Sequence, residues 1–248
     1  MNKAEAATQS LKQQSAWLLG AKVIGFGFSF VLPLLIVRYL TQDEVGHYRE
    51  AFQVIMNAIV ILPLGFSMSS FYFLARETAD RRGAAILNIL LFNFVVGGIA
   101  CVTLFLYPQL IGNIFKSAEL TQLGPLIGVV IWIWVFSTFL ETVAIANQEA
   151  KVATVFIVLA QFSKTLLMGS TVFLFATVES AMIQGLIQSC ILFWYLKSRF
   201  PRFWTKFELG FFKDQMVYAI PFGVAGILWM LQNDIHNYFV GYKFSSAE

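Results

Sequence analysis

Charge is what this chain of 248 residues has least of. Asp, Glu, Lys and Arg together make 12% of it, against 58% hydrophobic residues that include 26 phenylalanines. A soluble domain of this size has no core large enough to hide so much apolar surface. Sulfur and imidazole are scarce as well. The two cysteines, Cys101 and Cys190, both fall inside apolar segments, which excludes a disulfide framework or a cysteine metal site. The two histidines, His47 and His236, lack ligand partners at metal-site spacing. No paired loop carboxylates, no ordered Ser/His/Asp set and no glycine-rich phosphate loop are present, so catalysis has no carrier and neither a metal nor a cofactor is expected. Nucleic acid is not among the expected partners. A cleavable secretion signal is not expected either, because the polar start, residues 1–15, leads straight into a full-length apolar segment.

What the chain does have is long hydrophobic runs. Seven are long and apolar enough to cross a bilayer, at 17–39, 51–74, 84–107, 123–146, 152–176, 180–196 and 216–241. The expected fold is therefore an all-α polytopic membrane protein. The sixth run is the shortest, and only Thr177–Glu179 separate it from the fifth, so those two are expected as a tight antiparallel hairpin. Outside the runs, Lys3, Lys12, Arg76, Arg81, Arg82, Lys151, Lys197, Arg199, Arg202, Lys206 and Lys213 lie on the side of the N-terminus. Arg38, Arg49, Lys116 and Lys243 lie on the other. That bias places the N-terminus in the cytoplasm. The one long connection, 197–215, interleaves basic residues with Phe200, Phe203, Trp204, Phe207, Phe211 and Phe212. It reads either as a positive loop with interfacial anchors or as a surface helix in the headgroup layer.

The few polar residues inside the runs are the candidate functional groups. Lys164 sits near the middle of 152–176, too deep to snorkel comfortably, so a protein interior must want its charge. Gln161, Lys164, Met168 and Thr171 recur at helical spacing and share a face, opposite Val158, Leu166 and Phe173. Two readings of Lys164 stand side by side: it lines a cavity, or it pairs with Glu141 to hold two helices together. Ser180, Gln184 and Gln188 form a second polar stripe, and Gln53, Asn57 and Asn88 add amides that suit either sugar hydroxyls or interhelical hydrogen bonds. Lys22, close to the start of its run, either joins the cavity or snorkels to headgroups. Pro33 offers a bend in the first run, as do Pro63 with Gly65 and Pro221 with Gly223. Asp234, in the polar patch Gln232-Asn233-Asp234-Ile235-His236-Asn237, serves either gating and ion coupling or an interhelical hydrogen bond.

The chain also carries a partial repeat. Leu40-Thr41-Gln42-Asp43-Glu44 follows the first run and Phe244-Ser245-Ser246-Ala247-Glu248 follows the seventh, and each of those runs holds a proline. Six runs, a linker and a seventh suggest a duplicated six-plus-six transporter whose second copy has just begun. The expected organisation is a six-helix lobe over 1–199, a cytoplasmic amphipathic linker over 200–215, and the first helix of a second lobe over 216–248. At this junction, Leu34-Leu35-Ile36-Val37-Arg38-Tyr39-Leu40 followed by Asp43-Glu44-Val45-Gly46-His47-Tyr48 resembles the exit of helix one in polysaccharide-export flippases. These are the O-antigen and exopolysaccharide transporters of the multidrug/oligosaccharidyl-lipid/polysaccharide exporter superfamily. Pro63-Leu64-Gly65 with Ala75-Arg76, Asn147-Gln148-Glu149-Ala150-Lys151, and Tyr218-Ala219-Ile220-Pro221 extend the resemblance over essentially the whole chain.

The resemblance implies a bacterial inner-membrane protein that moves a lipid-linked, undecaprenyl-pyrophosphate type oligosaccharide by alternating access. The rest of the C-terminal lobe, or a partner subunit, and membrane lipids would be its partners. Lys164 would meet the pyrophosphate, with Gln161, Thr171, Gln184, Gln188, Lys22 and Asn57 as further cavity candidates. Asp234, Glu141 and Pro33 are the gating or coupling candidates. A drug or cation exporter of the same superfamily is the alternative, disfavoured by the repulsion between Lys164 and a cationic substrate. A membrane enzyme acting on the same glycans is another.

Overall fold

A computed structural model describes residues 11–171, 177–201 and 207–243, and all of their regular structure is helical. The helices are α1 (Leu11–Tyr39), α2 (Gln42–Ile61), α3 (Ser69–Arg76), α4 (Ala79–Leu106), α5 (Gln109–Phe115), α6 (Ala118–Ser137), α7 (Phe139–Ala146), α8 (Ala150–Thr171), α9 (Thr177–Arg199) and α10 (Leu209–Lys243). A short 3-10 turn, Phe66–Met68, leads into α3.

Local chemistry sets the ends. Thr41 starts α2 with a reciprocal capping box. Its hydroxyl accepts from the Glu44 backbone N–H at 3.5 Å, while the Glu44 carboxylate accepts from the Thr41 N–H at 2.7 Å. Ser117 caps α6 by accepting from the Leu120 N–H at 3.2 Å. Leu62 is still helical at φ −59° and ψ −40°, and Pro63, which has no N–H to continue the ladder, follows it where α2 stops. Pro201 likewise stands just beyond the end of α9 at Arg199.

Five stretches are long and apolar enough to span a membrane: Gln13–Tyr39, Arg81–Leu106, Ala118–Ala146, Ala150–Ser170 and Leu209–Val240. A sixth forms if the pair Gln42–Ile61 and Phe66–Arg76, bent by 48°, counts as one broken span. The protein is an all-α, multi-pass membrane protein, but it departs from the sequence expectation in three places. The expected run 180–196 lies within α9, which has the length to cross at 23 residues. Its polar stripe and terminal charges keep it out of the apolar set. The expected turn, Thr177–Glu179, is the first turn of α9, and the connection 172–176 lies outside the described residues. Finally, the second half of the expected linker is already helix, because α10 begins at Leu209.

Packing splits the apolar interior into two main layers along the bundle. One joins Ile36, Phe52, Ile55, Phe115, Ile131, Trp134 and Met168; the other joins Phe66, Leu74, Ile86, Phe139, Phe156, Leu192 and Tyr195. Of the linker aromatics, Phe200 and Phe212 join the second layer and Phe211 a smaller neighbouring cluster; Phe207 is exposed, and Phe203 and Trp204 lie outside the described residues. Phe200 and Phe211 are buried, and Phe211 meets Phe73 edge-on with centroids 5.1 Å apart.

The break after α2 meets α10 backbone to backbone. Gly65 holds φ at +70°, and a Cβ added there would lie 2.6 Å from the Gly223 nitrogen. A Cβ on Gly223 would lie 2.6 Å from the Leu64 carbonyl oxygen. Glycine is required at both positions, once for its backbone angle and twice for the close approach.

Candidate functional site

Along the expected polar stripe of α8, Met168 is fully buried and Gln161 and Lys164 are half-buried. On the opposite side Leu166 is 57% exposed and Val158 half-buried, and Phe173 lies outside the described residues. α1 lies along α8, with the Gln161 side chain against Gly25. Thr171 closes the described helix, and its side chain lies outside the described residues.

Lys164 reaches from α8 between two other helices. Its ammonium stands 5.7 Å from the centroid of the Phe52 ring on α2 and 5.2 Å from that of Trp134 on α6. Both rings are more than nine-tenths buried. Each contact at this range is worth roughly 0.5–2 kcal/mol, more as water is withdrawn. The rings therefore offset part of the cost of holding a cation inside a membrane bundle without neutralising it. The ion pairs His47–Glu119, Arg81–Glu77 and Arg199–Glu149 lie elsewhere in the chain, and among the described residues Lys164 has no carboxylate partner. Glu141, the expected counter-charge, sits half-buried on α7 without an ion pair there. The Lys164–Glu141 bridge is thus absent, because the lysine is directed into the layer around Phe52 and Trp134, and α7 contributes to the other layer.

Trp134 ties this cage to the second polar stripe. Its indole N–H donates to the Ala181 carbonyl at 2.8 Å, and its ring fits against Gly185, where a Cβ would come within 2.6 Å of it. Beside that contact, Gln184 is 3% exposed and its Oε1 has no hydrogen-bond partner. An unsatisfied buried amide oxygen costs about 1–3 kcal/mol and calls for a donor. One turn further, Gln188 accepts a hydrogen bond from the Ser137 hydroxyl at 3.3 Å. The site therefore gathers a caged ammonium on α8, two aromatic walls on α2 and α6, and an unsatisfied acceptor on α9. The lysine offers a positive charge to an anion, and the amide oxygen offers an acceptor to a hydroxyl.

Other candidates lie elsewhere. Asn57 is buried, but five residues beyond Phe52 it points to α10, where its Nδ2 donates to the Tyr238 hydroxyl at 2.9 Å. Gln53 likewise accepts from Asn237 at 3.4 Å. Asp234 stands one turn before Tyr238 on α10, close enough to act on its hydroxyl electrostatically. Asn88 donates to Gln215 at 2.7 Å, and Gln215 donates to Ser69 at 3.3 Å, so this buried amide joins α4, α10 and α3. Lys22 and Pro33 are exposed on α1, which runs as one helix through the proline. Sequence reasoning missed Trp134, Phe52 and Tyr238. Each sits in an apolar run, and no local signal separates it from ordinary lipid-facing aromatics. The Asn147-Gln148-Glu149 turn is a latch: Glu149 pairs with Arg199 at 3.0 Å and accepts from the Tyr195 hydroxyl at 2.9 Å, fastening the end of α9.

Three solved structures share this fold. A transporter of the MOP superfamily from Pyrococcus furiosus, described as having a binding pocket of reverse polarity that suggests a different function, superposes with a TM-score of 0.65 at 16% identity. It covers 92% of this chain and 55% of its own. An outward-facing multidrug resistance MATE family transporter of that superfamily gives a TM-score of 0.67 at 16% identity, over 92% of this chain and 55% of the other. A MATE transporter in complex with MaD3S gives 0.70 at 14% identity, over 94% and 58%. The chain thus spans little more than half the length of the transporters it matches. No curated protein matches it. The polysaccharide biosynthesis protein family, by contrast, matches residues 11–247, nearly the whole chain, and this protein belongs to that family.

Proposed function

We propose that the protein is a transporter rather than an enzyme, a flippase for a lipid-linked oligosaccharide or polysaccharide precursor, acting in the bacterial inner membrane with its N-terminus in the cytoplasm. The observation that carries this reading is Lys164, an ammonium held between the rings of Phe52 and Trp134 with no carboxylate beside it among the described residues. A fixed cation without a counter-charge attracts an anion and repels a cation. In a family of polysaccharide biosynthesis proteins, the anion that fits is the pyrophosphate linking a glycan to its isoprenoid carrier. Gln184, with its free acceptor, and Gln188 supply contacts of the kind that sugar hydroxyls make.

In this mechanism the six-helix lobe provides the cationic wall, and a second lobe, on the same polypeptide or on a partner, closes against it. The headgroup crosses between the lobes while the isoprenoid tail stays in the bilayer, and rocking of the lobes exposes the site alternately to each side. Membership of the family and the shared fold of MOP-superfamily transporters support transport over catalysis. The uncompensated lysine favours an anionic substrate over the cations of a drug exporter.

The test is export of lipid-linked glycan in cells producing the intact transporter. Losing one partly desolvated charge contact costs about 1.5–3 kcal/mol, or roughly ten- to a hundredfold in affinity. Lys164→Gln should therefore depress export with membrane abundance near normal, while Lys164→Arg retains much of it, since a lysine acts on phosphate mainly as a point charge. Unchanged export in Lys164→Gln at normal abundance refutes the role.

A further inference from the structure

On the side of α6 turned away from Lys164, a crevice of about 420 Å³ opens between α4 and α9. Leu91 and Phe94 form one wall, Trp132 and Phe136 the floor, and Ser189 and Phe193 the other wall. Its polar groups are already used. The Trp132 indole donates to the Phe94 carbonyl at 2.9 Å, and the Ser189 hydroxyl donates to the Gly185 carbonyl at 2.9 Å. Leu91, Phe94 and Phe193 are 40–50% exposed there, on helices that pack within a membrane-spanning bundle. A peptide laid in such a groove would leave its own backbone groups unsatisfied in hydrocarbon. The volume falls in the usual range for a small-molecule site, and the lining suits a hydrocarbon chain.

A cation stands at one end. Lys197 follows Phe193 by four residues on the same face of α9, about 6 Å further along the helix axis. It is exposed, and among the described residues it makes no hydrogen bond, ion pair or ring contact. The neighbouring arginines are committed: Arg199 pairs with Glu149, Arg81 pairs with Glu77, and Arg82 donates to the Glu77 carbonyl. Trp194, next to Phe193 and 68% exposed, has the amphipathic ring that prefers the membrane interface.

We propose that the α4–α6–α9 crevice is a binding site for an anionic glycerophospholipid of the surrounding membrane. One acyl chain fills the groove and the phosphate sits at Lys197. The site is separate from the transport cage and does not depend on the transport reading.

The test uses the full chain in nanodiscs of phosphatidylcholine carrying increasing fractions of brominated phosphatidylglycerol or brominated phosphatidylcholine. Trp132 is the reporter, read as the difference in fluorescence between the wild type and Trp132→Phe. A lysine near an anionic headgroup contributes about 1 kcal/mol, so quenching should reach its midpoint at a roughly fivefold lower fraction of the anionic lipid. Lys197→Gln should abolish that preference and Lys197→Arg keep it. Ser189→Phe, which adds a ring to the groove, should weaken quenching by both lipids. Phospholipid retained by the wild type and by Lys197→Gln, counted by native mass spectrometry, gives a second reading that leaves the core untouched; the variant should retain less phosphatidylglycerol. Equal quenching by the two lipids in the wild type, or equal retention by Lys197→Gln, overturns the proposal. Displacement of the brominated anionic lipid by a lower fraction of polyprenyl phosphate also overturns it and gives the groove to the tail of a transported lipid. Shielding of Trp132 from both lipids in a dimer overturns it in favour of a second copy of the chain.

Discussion

Replacing Gly223 with alanine tests the crossing of α10 over the broken second span. The added Cβ would stand 2.6, 2.7 and 2.9 Å from the carbonyl oxygen, carbonyl carbon and Cα of Leu64. Carbon atoms prefer separations of about 3.5–4.0 Å, so α10 must shift by roughly an ångström. All three obstructing atoms are backbone, so no side chain can swing aside. That shift would strain the Phe66–Phe212 contact at 5.1 Å and the buried Asn88–Gln215–Ser69 chain. Overpacking of this kind costs about 1–3 kcal/mol, against a gain of about 1 kcal/mol from alanine over glycine inside a helix. The expected net loss for Gly223→Ala is about 0–2 kcal/mol. Gly65→Ala should cost more, about 2–5 kcal/mol, because it adds the price of a left-handed residue and gains nothing from helix propensity. Gly27 in α1 has nothing within 4 Å of a built Cβ, so Gly27→Ala should be neutral or slightly stabilising. Unfolding of the purified protein in detergent, followed by tryptophan fluorescence, ranks the three. The double variant at 65 and 223 should lose less than the sum, because one separation of the backbones relieves both clashes. A Gly223→Ala protein as stable as Gly27→Ala would refute the contact.

Tyr238→Phe removes the acceptor for buried Asn57 and should cost about 1–3 kcal/mol in the same unfolding assay, part of it recovered by adding Asn57→Leu. A cysteine at Lys164 or Gln161 should react with a small polar thiol reagent in membranes, and one at Leu166 should not; equal protection of all three would mark the lysine as a dry structural residue. Reporter fusions at Arg81 should read cytoplasmic and those at Lys116 external, and the reverse pattern would remove the proposed orientation.

The helical class and most spans were legible in the sequence because burial in a bilayer leaves a one-dimensional signature. A run of some twenty apolar residues must be helical, since only a helix satisfies its own backbone in hydrocarbon. The inward stripe of α8 was legible for a similar reason: Gln161, Lys164 and Met168 share a face at helical spacing, and Leu166 does not. Pro63 and Gly65 likewise foretold the break after α2. The polar stripe on α9 was visible too, yet it lowered that helix's apolarity and made its standing as a span the least certain.

What a stripe faces is a different kind of fact. Glu141 looked like a partner for Lys164 because both are charges in apolar runs, but the bundle puts them in different packing layers and gives the lysine two aromatic rings. Asn57 looked like a cavity amide, and the tertiary fold spends it on Tyr238, 181 positions away. Gln215 reaches Asn88 across 127 positions, and Gly65 needs its small size because of Gly223. Periodicity within one helix fixes which residues point the same way. Only the packing of several helices decides which neighbour they meet, because that depends on the distances and angles between elements far apart in the chain.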